Sequence, residues 1–164
     1  GAMNKTGALC ALLSSAQVDA LPEKCFVHPL DSTAQRLTRS LGDVTGLKTL
    51  GVHLVRLEPG RASTVYHFHH QDEEWIYILS GRGVAEIGDE KSAVGPGDFM
   101  GFVAGSAPHS LSNPHEEDLV YLVGGNRCAI DTCDYPRLGM RRYRVDGVSE
   151  FVKLDALSKT PPVR

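Results

Sequence analysis

The residues of this chain that could do chemistry crowd into one stretch, His67-Phe68-His69-His70-Gln71-Asp72-Glu73-Glu74, directly ahead of the apolar run Trp75-Ile76-Tyr77-Ile78-Leu79. Imidazole nitrogens and carboxylate oxygens at this density are the makings of a metal site. His67 and His69 are two apart, so on an extended chain both side chains leave the same face. Glu74 has the opposite parity to His69. It joins the histidines only if Gln71 to Glu73 turn and the chain returns as a second strand. The aromatic and β-branched residues after Glu74 suit that strand. The expected geometry is a hairpin with two imidazoles on one arm and a carboxylate at the start of the other. The candidate for a fourth ligand, from elsewhere in the chain, is His109. Such a nitrogen-rich set with one oxygen suits Fe(II), Mn(II), Ni(II), Co(II) or Zn(II), and disfavours Cu(I) or Ca(II). Coordination positions left open would take water or a chelating substrate, the requirement for a Lewis-acid or oxygen-activating site.

Other polar and aromatic side chains have blander expectations. His70 has the opposite parity to His69 and should face outward, while Asp72 and Glu73 read as exposed turn residues. His53 is expected in the core or lining a pocket, and His28 and His115 in loops. Trp75, Tyr77, Phe99 and Phe102 are expected in the core or an interface, and Tyr66 is assigned to core packing. Each ligating histidine needs a partner for its second nitrogen; Asn113 is near the motif but has no assigned role.

The elements that must position these groups read as short strands. Leu50 to Leu57 alternates and ends at the turn signal Glu58-Pro59-Gly60. Thr64 to His69 and Glu74 to Leu79 are the expected metal hairpin. Val84 to Ile87, Ala93-Val94, Phe99 to Val103, Pro108 to Leu111 and Asp118 to Val123 follow, separated by Gly, Pro, Asn and Asp turns. Strands at this spacing indicate an all-β sandwich or barrel. Ahead of them, Ala8 to Leu21 is a helical candidate stopped by Pro22. Residues 22–46 read as an arm or short helix on the outside of the barrel. The division is therefore 1–46 for a cleavage scar at Gly1-Ala2-Met3, a short helix and an arm, 47–127 for the barrel, and 128–164 for a C-terminal strand and tail. In that last part Met140 to Val145 is a strand candidate whose Arg141, Arg142 and Arg144 fit a solvated edge, with contact to an anionic group as the rarer alternative.

Composition narrows the classes. The chain has 164 residues, enough for one domain with a proper core, and is 41% apolar and 23% charged, as a globular protein should be. A net charge of -3 argues against nucleic acid or an acidic membrane surface as partner. No apolar run approaches the ~18 residues needed to span a bilayer. Cys10, Cys25, Cys128 and Cys133 form no CxxC pair, which reads as reduced thiols in a cytoplasmic protein.

Two motifs in this chain resemble those of the cupin family. The first family motif, roughly Gly, five residues, His-x-His, three or four residues, Glu, six residues, Gly, falls on Gly60, His67, His69, Glu74 and Gly81. The second, roughly Gly, five residues, Pro-x-Gly, two residues, His, three residues, Asn, falls on Gly97, Val103-Ala104-Gly105, His109 and Asn113. The chain departs from the pattern in three ways. It has one extra residue before His67, Val103 in place of proline, and one extra residue before His109. The resemblance covers roughly residues 50 to 125. It implies a double-stranded β-helix, the jelly-roll barrel, with a short N-terminal helical or arm segment. It also implies one divalent transition metal per chain (Fe, Mn, Ni or Zn) on His67, His69, Glu74 and His109, and homodimers joined through sheet faces and exchanged N-terminal arms. The function it implies is metal-dependent dioxygenase, isomerase or lyase chemistry on a small polar metabolite. The alternatives are a non-catalytic barrel that binds a sugar or metabolite, and a barrel whose metal site has lapsed. Fold alone does not choose among them.

Overall fold

The computed structural model describes residues 10–163, so the Gly1-Ala2-Met3 scar and the first two positions of the expected Ala8–Leu21 helix lie outside the described residues. Within them the helix α1 is only Ser15–Ala20. Its start is set by a capping box, in which the Ser14 hydroxyl accepts the Gln17 N–H and the Gln17 side chain accepts the Ser14 N–H. Pro22 follows the C-cap Leu21 and prevents continuation.

Residues 22–46 are not an arm or a lone short helix. They form β1 (Lys24–His28), β2 (Asp31–Ser40) and the single-turn α2 (Leu41–Thr45), with β1 and β2 antiparallel. β2 pairs in turn with β3 (Leu50–Leu57). The strand was hidden because arginines occupy both its faces. Arg36 lines an internal cavity, whereas Arg39 donates to Leu21 O at 2.9 Å.

The remaining strands are β4 (Phe68–His69), β5 (Glu74–Ser80), β6 (Gly83–Ile87), β7 (Glu90–Val94), β8 (Phe99–Phe102), β9 (His109–Ser112), β10 (Leu119–Asn126), β11 (Ile130–Tyr135), β12 (Met140–Val145) and β13 (Val148–Lys153). One sheet has the order β1-β2-β3-β10-β5-β8. Facing it are the sheets β13-β12-β11-β4 and β7-β6-β9. An antiparallel bridge between His67 and His109 joins these two into one wall. The result is the jelly-roll barrel. Its main core lies between the walls, from Val55, Leu57, Ile76, Ile78, Met100, Phe102, Leu111, Leu119 and Tyr121. β12 lies between β11 and β13, so its arginines are not on a solvated edge strand.

Two glycines let the chains close up. Gly81 has φ +77°, and a Cβ there would sit 2.1 Å from Asp118 O. A Cβ on Gly125 would sit 2.2 Å from Glu73 O, so only glycine lets β10 approach the start of β5, where Glu74 lies. Among the described residues no helix is long and apolar enough to cross a membrane.

Candidate metal centre

The expected hairpin does not form, yet the residues meet. β4 pairs with β11, through His69↔Cys133 and Phe68↔Asp134, while β5 pairs with β10 and β8 in the opposite sheet. His67 and His69 therefore reach across the barrel to Glu74 instead of along a shared ladder. Period-2 alternation sets their aim: Val65 and His67 are buried, and Tyr66 between them turns away to donate to Gly88 O at 2.9 Å. On β5, Glu74 shares the inner face with the core residues Ile76 and Ile78. Its cross-strand partner Phe102 stacks on His109 at a centroid distance of 3.5 Å.

The ligand atoms of His67, Glu74 and His109 all lie within 4.8 Å of one another. His69 enters through Glu74, with Nε2 3.5 Å from Oε2, against 4.0 Å for His67 Nε2. The other ring nitrogens are committed elsewhere. His67 Nδ1 lies 2.7 Å from Val65 O, His69 Nδ1 2.6 Å from Asp131 Oδ2, and His109 Nδ1 3.5 Å from Ala107 O. A carbonyl only accepts, so Nδ1 carries the proton in His67 and His109 and Nε2 keeps its lone pair. His109 Nε2 is moreover buried with no hydrogen-bond partner. An electron pair in that position needs a cation or a donor. The residues present thus fit a transition metal: imidazole nitrogens and one carboxylate converge, and each histidine is oriented by its second nitrogen.

Electrostatics prepares His67, His109 and Glu74 as ligands, whereas His69 holds a proton that a cation would have to displace. Burial drives His67 down to about 3 and lowers His109, so both rings are neutral at pH 7. Burial also opposes charge on His69, but the hydrogen bonds it donates to Asp131 and Glu74 prevail and raise it to about 9. Glu74 is pushed up by burial and pulled down further by the His69 hydrogen bond and the neighbouring histidines, ending at about 2. Cys133 also lies within reach of His67 and His69, yet burial pushes its thiol up to about 12. The ionised carboxylate is the better hard ligand.

Several residues sit where the sequence did not place them. Asp72 is buried, not an exposed turn residue: it accepts the Cys128 N–H at 2.9 Å and pairs with Arg144 at 2.7 Å. His28 is no loop residue. It ends β1, is buried, and lines the cavity with Tyr135, 5.2 Å away between ring centroids. Asn113 bonds Leu57 O and Glu117 O, and His115 N–H bonds it, so it clamps a turn. His70 faces away from the centre and reaches Asp134 at 3.0 Å, and His53 lines the cavity, both as expected. Asp131, Cys133 and Tyr135 were missed. Their signal is the alternation of Ile130-Asp131-Thr132-Cys133-Asp134-Tyr135, in which the inward residues are polar or aromatic rather than aliphatic. The cavity that Cys133 and Tyr135 share with His67 and His69 has a volume of about 300 Å³, in the range of small-ligand sites.

The chain belongs to the cupin superfamily. The cupin domain family matches residues 53–125. A proposed sugar phosphate isomerase from Acidithiobacillus ferrooxidans is 39% identical, with a TM-score of 0.90 over 93% of this chain and 97% of that one. A cupin-superfamily sugar phosphate isomerase from Silicibacter pomeroyi is 27% identical, with a TM-score of 0.78 over 91% and 96%. A curated relative, an uncharacterised protein from Methanocaldococcus jannaschii, is 32% identical over 78 residues, which are 48% of this chain. That match spans only 54% of the relative's length.

Proposed function

We propose that the protein is a metal-dependent cupin that isomerises a small sugar phosphate, with His67, His69, Glu74 and His109 holding one divalent transition metal. The observation that carries the reading is the convergence of the histidine Nε2 atoms on Glu74, including the buried, unpartnered Nε2 of His109. The similarity to two sugar phosphate isomerases along nearly their full lengths supports the substrate class. A bound metal would supply Lewis-acid polarisation of a sugar carbonyl. The chain's own residues do the rest. Asp131 holds His69 in place, and the stacked Phe102 fixes the His109 ring. Burial keeps the phenols of Tyr121 and Tyr135 protonated, the former pushed up to about 12, and both line the cavity. The His28 ring accepts the Leu30 N–H at Nδ1 at 3.1 Å, which leaves Nε2–H as a further donor to the cavity. The partner is a small molecule, not nucleic acid or membrane, and the setting is cytoplasmic.

The test is elemental analysis of the parent protein beside His67→Ala and His109→Ala, followed by NMR of aldose and ketose phosphates incubated with the loaded protein. About one transition-metal ion per chain, lost in both variants, with interconversion of the sugars, is the expected result. A parent protein that takes up no metal even on anaerobic reloading would falsify the reading. Saturable binding with no sugar consumed would replace it with the non-catalytic binding barrel.

A further inference from the structure

The cavity around the histidine cluster extends to strands outside residues 53–125, where Arg36, Arg127, Arg142 and Arg144 line it; Arg36 and Arg142 differ from the other two. Arg36 pairs across the ladder with Phe26, and its guanidinium carbon lies 4.3 Å over the Phe26 ring. Arg142 stands opposite Cys133, which stands opposite His69. Cross-strand partners share a face, so one row across the wall carries His69, Cys133 and Arg142. At ~4.8 Å per strand, the backbones of His69 and Arg142 are ~10 Å apart.

The charges of these two arginines are not neutralised by a close carboxylate, as those of their neighbours are. Arg144 donates to Asp72 at 2.7 Å, Arg127 to Asp43 at 2.9 Å, and Arg141 to Asp134 at 2.6 and 3.0 Å. Among the described residues Arg36 donates to a backbone carbonyl, Ser63 O, at 2.6 Å. Arg142 reaches Asp131 only at 3.4 Å, and its Nε is buried without a partner. Asp131 has little more to offer. His69 takes Oδ2 at 2.6 Å, and the N–H groups of Gln71 and Asp72 take Oδ1 at 3.2 and 3.0 Å. Buried donors in folded proteins are nearly always bonded, so this one calls for an acceptor that arrives with a ligand. The guanidinium fork matches the oxygens of a phosphate. A positive local potential is also felt at His28, which burial and the charges of Arg36 and Arg142 keep neutral.

We infer that Arg36 and Arg142 form an anion subsite that takes the phosphate of the sugar phosphate, in the cavity shared with His67, His69 and Glu74. The identity of the ligand rests on the function proposed above; the subsite itself rests on the Arg36 guanidinium, which meets only a backbone carbonyl, and on the unpartnered Nε of Arg142. It lies on β2 and β12, so the segment that matches the family carries the proposed metal ligands and the flanking strands carry substrate recognition.

Calorimetric titration of inorganic phosphate into metal-free protein tests this, with Arg36→Gln, Arg142→Gln, Arg142→Lys and the exposed-site control Arg82→Gln. Near-UV circular dichroism establishes that each variant is folded. One saturable site is expected in the parent and in Arg82→Gln, weakened about tenfold or more in both glutamine variants and by less in Arg142→Lys. No saturable binding by the parent, or unchanged affinity in both glutamine variants, overturns the subsite. A hexose phosphate should bind the parent more tightly than inorganic phosphate. Equal or weaker binding would assign the arginines to a free anion and overturn the sugar-phosphate proposal. Metal content separates the two readings. Full metal loading without phosphate binding removes the subsite and spares the metal centre, whereas arginine-dependent phosphate binding in a protein that takes up no metal does the reverse.

Discussion

Asp131 is the residue on which the orientation of His69 depends. It is fully buried, and its carboxylate spends one oxygen on His69 Nδ1 at 2.6 Å and the other on two backbone N–H groups of the preceding turn. That turn, Gln71 to Glu73, carries the chain from the histidine strand to Glu74. One side chain therefore fixes both the ring and the loop that delivers the carboxylate. A carboxylate behind a ligating imidazole raises its basicity and locks its rotation, and losing such a partner typically costs 10–100-fold in metal affinity (about that order here). Asp131→Asn keeps the size and removes the charge. It should weaken metal binding by about 10–100-fold with little change in fold, as read by competition with a chromogenic chelator. Parent-like affinity in Asp131→Asn would show that His69 needs no anionic support.

At the scale of elements, the site is made by strands that the sequence describes only one at a time. The shared face of His67 and His69 follows from period 2, and the turn before Glu74 follows from its polar residues; both were legible. Which strands pair was not. His69 lies opposite Cys133, and His67 bridges His109, contacts that no local pattern encodes. The histidine arm and the glutamate arm consequently belong to facing sheets, a hairpin having been the economical reading of neighbouring strands. β2 was obscured for a related reason, and β12, legible as a strand, was misplaced at a solvated edge. Inward arginines break the apolar alternation that marks a half-buried strand, because they face a polar cavity instead of a core. The N-terminal strands are held to the barrel partly by Glu23. Arg56 on β3 donates to it at 2.9 and 3.0 Å, and also reaches Asp118 at 3.1 Å. The hydrogen bonds from Arg56 hold Glu23 below the ordinary value of 4.5. Its folded-state pKa is depressed, so the stabilisation is fully present above 4.5 and is lost as the pH falls through the folded value. Glu23→Gln should cost about 0.5 kcal/mol at pH 7, the scale of a solvent-screened pair. Thermal melts should show the difference between parent and variant closing as the pH drops below 4.5. A gap that stays constant across that range would mean Glu23 acts through packing rather than charge.

At the scale of the whole molecule, the described residues leave an aromatic sheet face exposed. On the outer side of the β10-β5-β8 sheet, Trp75, Tyr77, Phe99 and Leu122 line an open apolar depression. Phe99 is 64% exposed and Tyr77 41%. Trp75 stacks near Phe99 at 6.4 Å, and the absence of a side chain on Gly124 gives the indole its room, since a Cβ there would lie 2.4 Å from it. Aromatic residues clustered on a sheet face are costly in water, and patches of this kind mark interaction surfaces. β1 and β2 pair with β3 of their own chain, so the sheet face offers a route to a dimer without exchanged arms. A homodimer joined through this sheet face, as the resemblance implies, would place Phe99 near its centre. A buried aromatic at such a position commonly contributes more than 2 kcal/mol (about that threshold for a hot spot). Sedimentation equilibrium at micromolar concentration should give twice the 17.8 kDa chain mass. Phe99→Glu should reduce it to a single chain while leaving metal content unchanged, because Glu74 and the histidines lie on the inner face of the barrel. If the parent sediments as one chain, the dimer is wrong. If Phe99→Glu remains dimeric, the chains pair through another surface, and the exposed edge strand β1, with Phe26 and Val27 at 39% and 45% exposure, becomes the place to test.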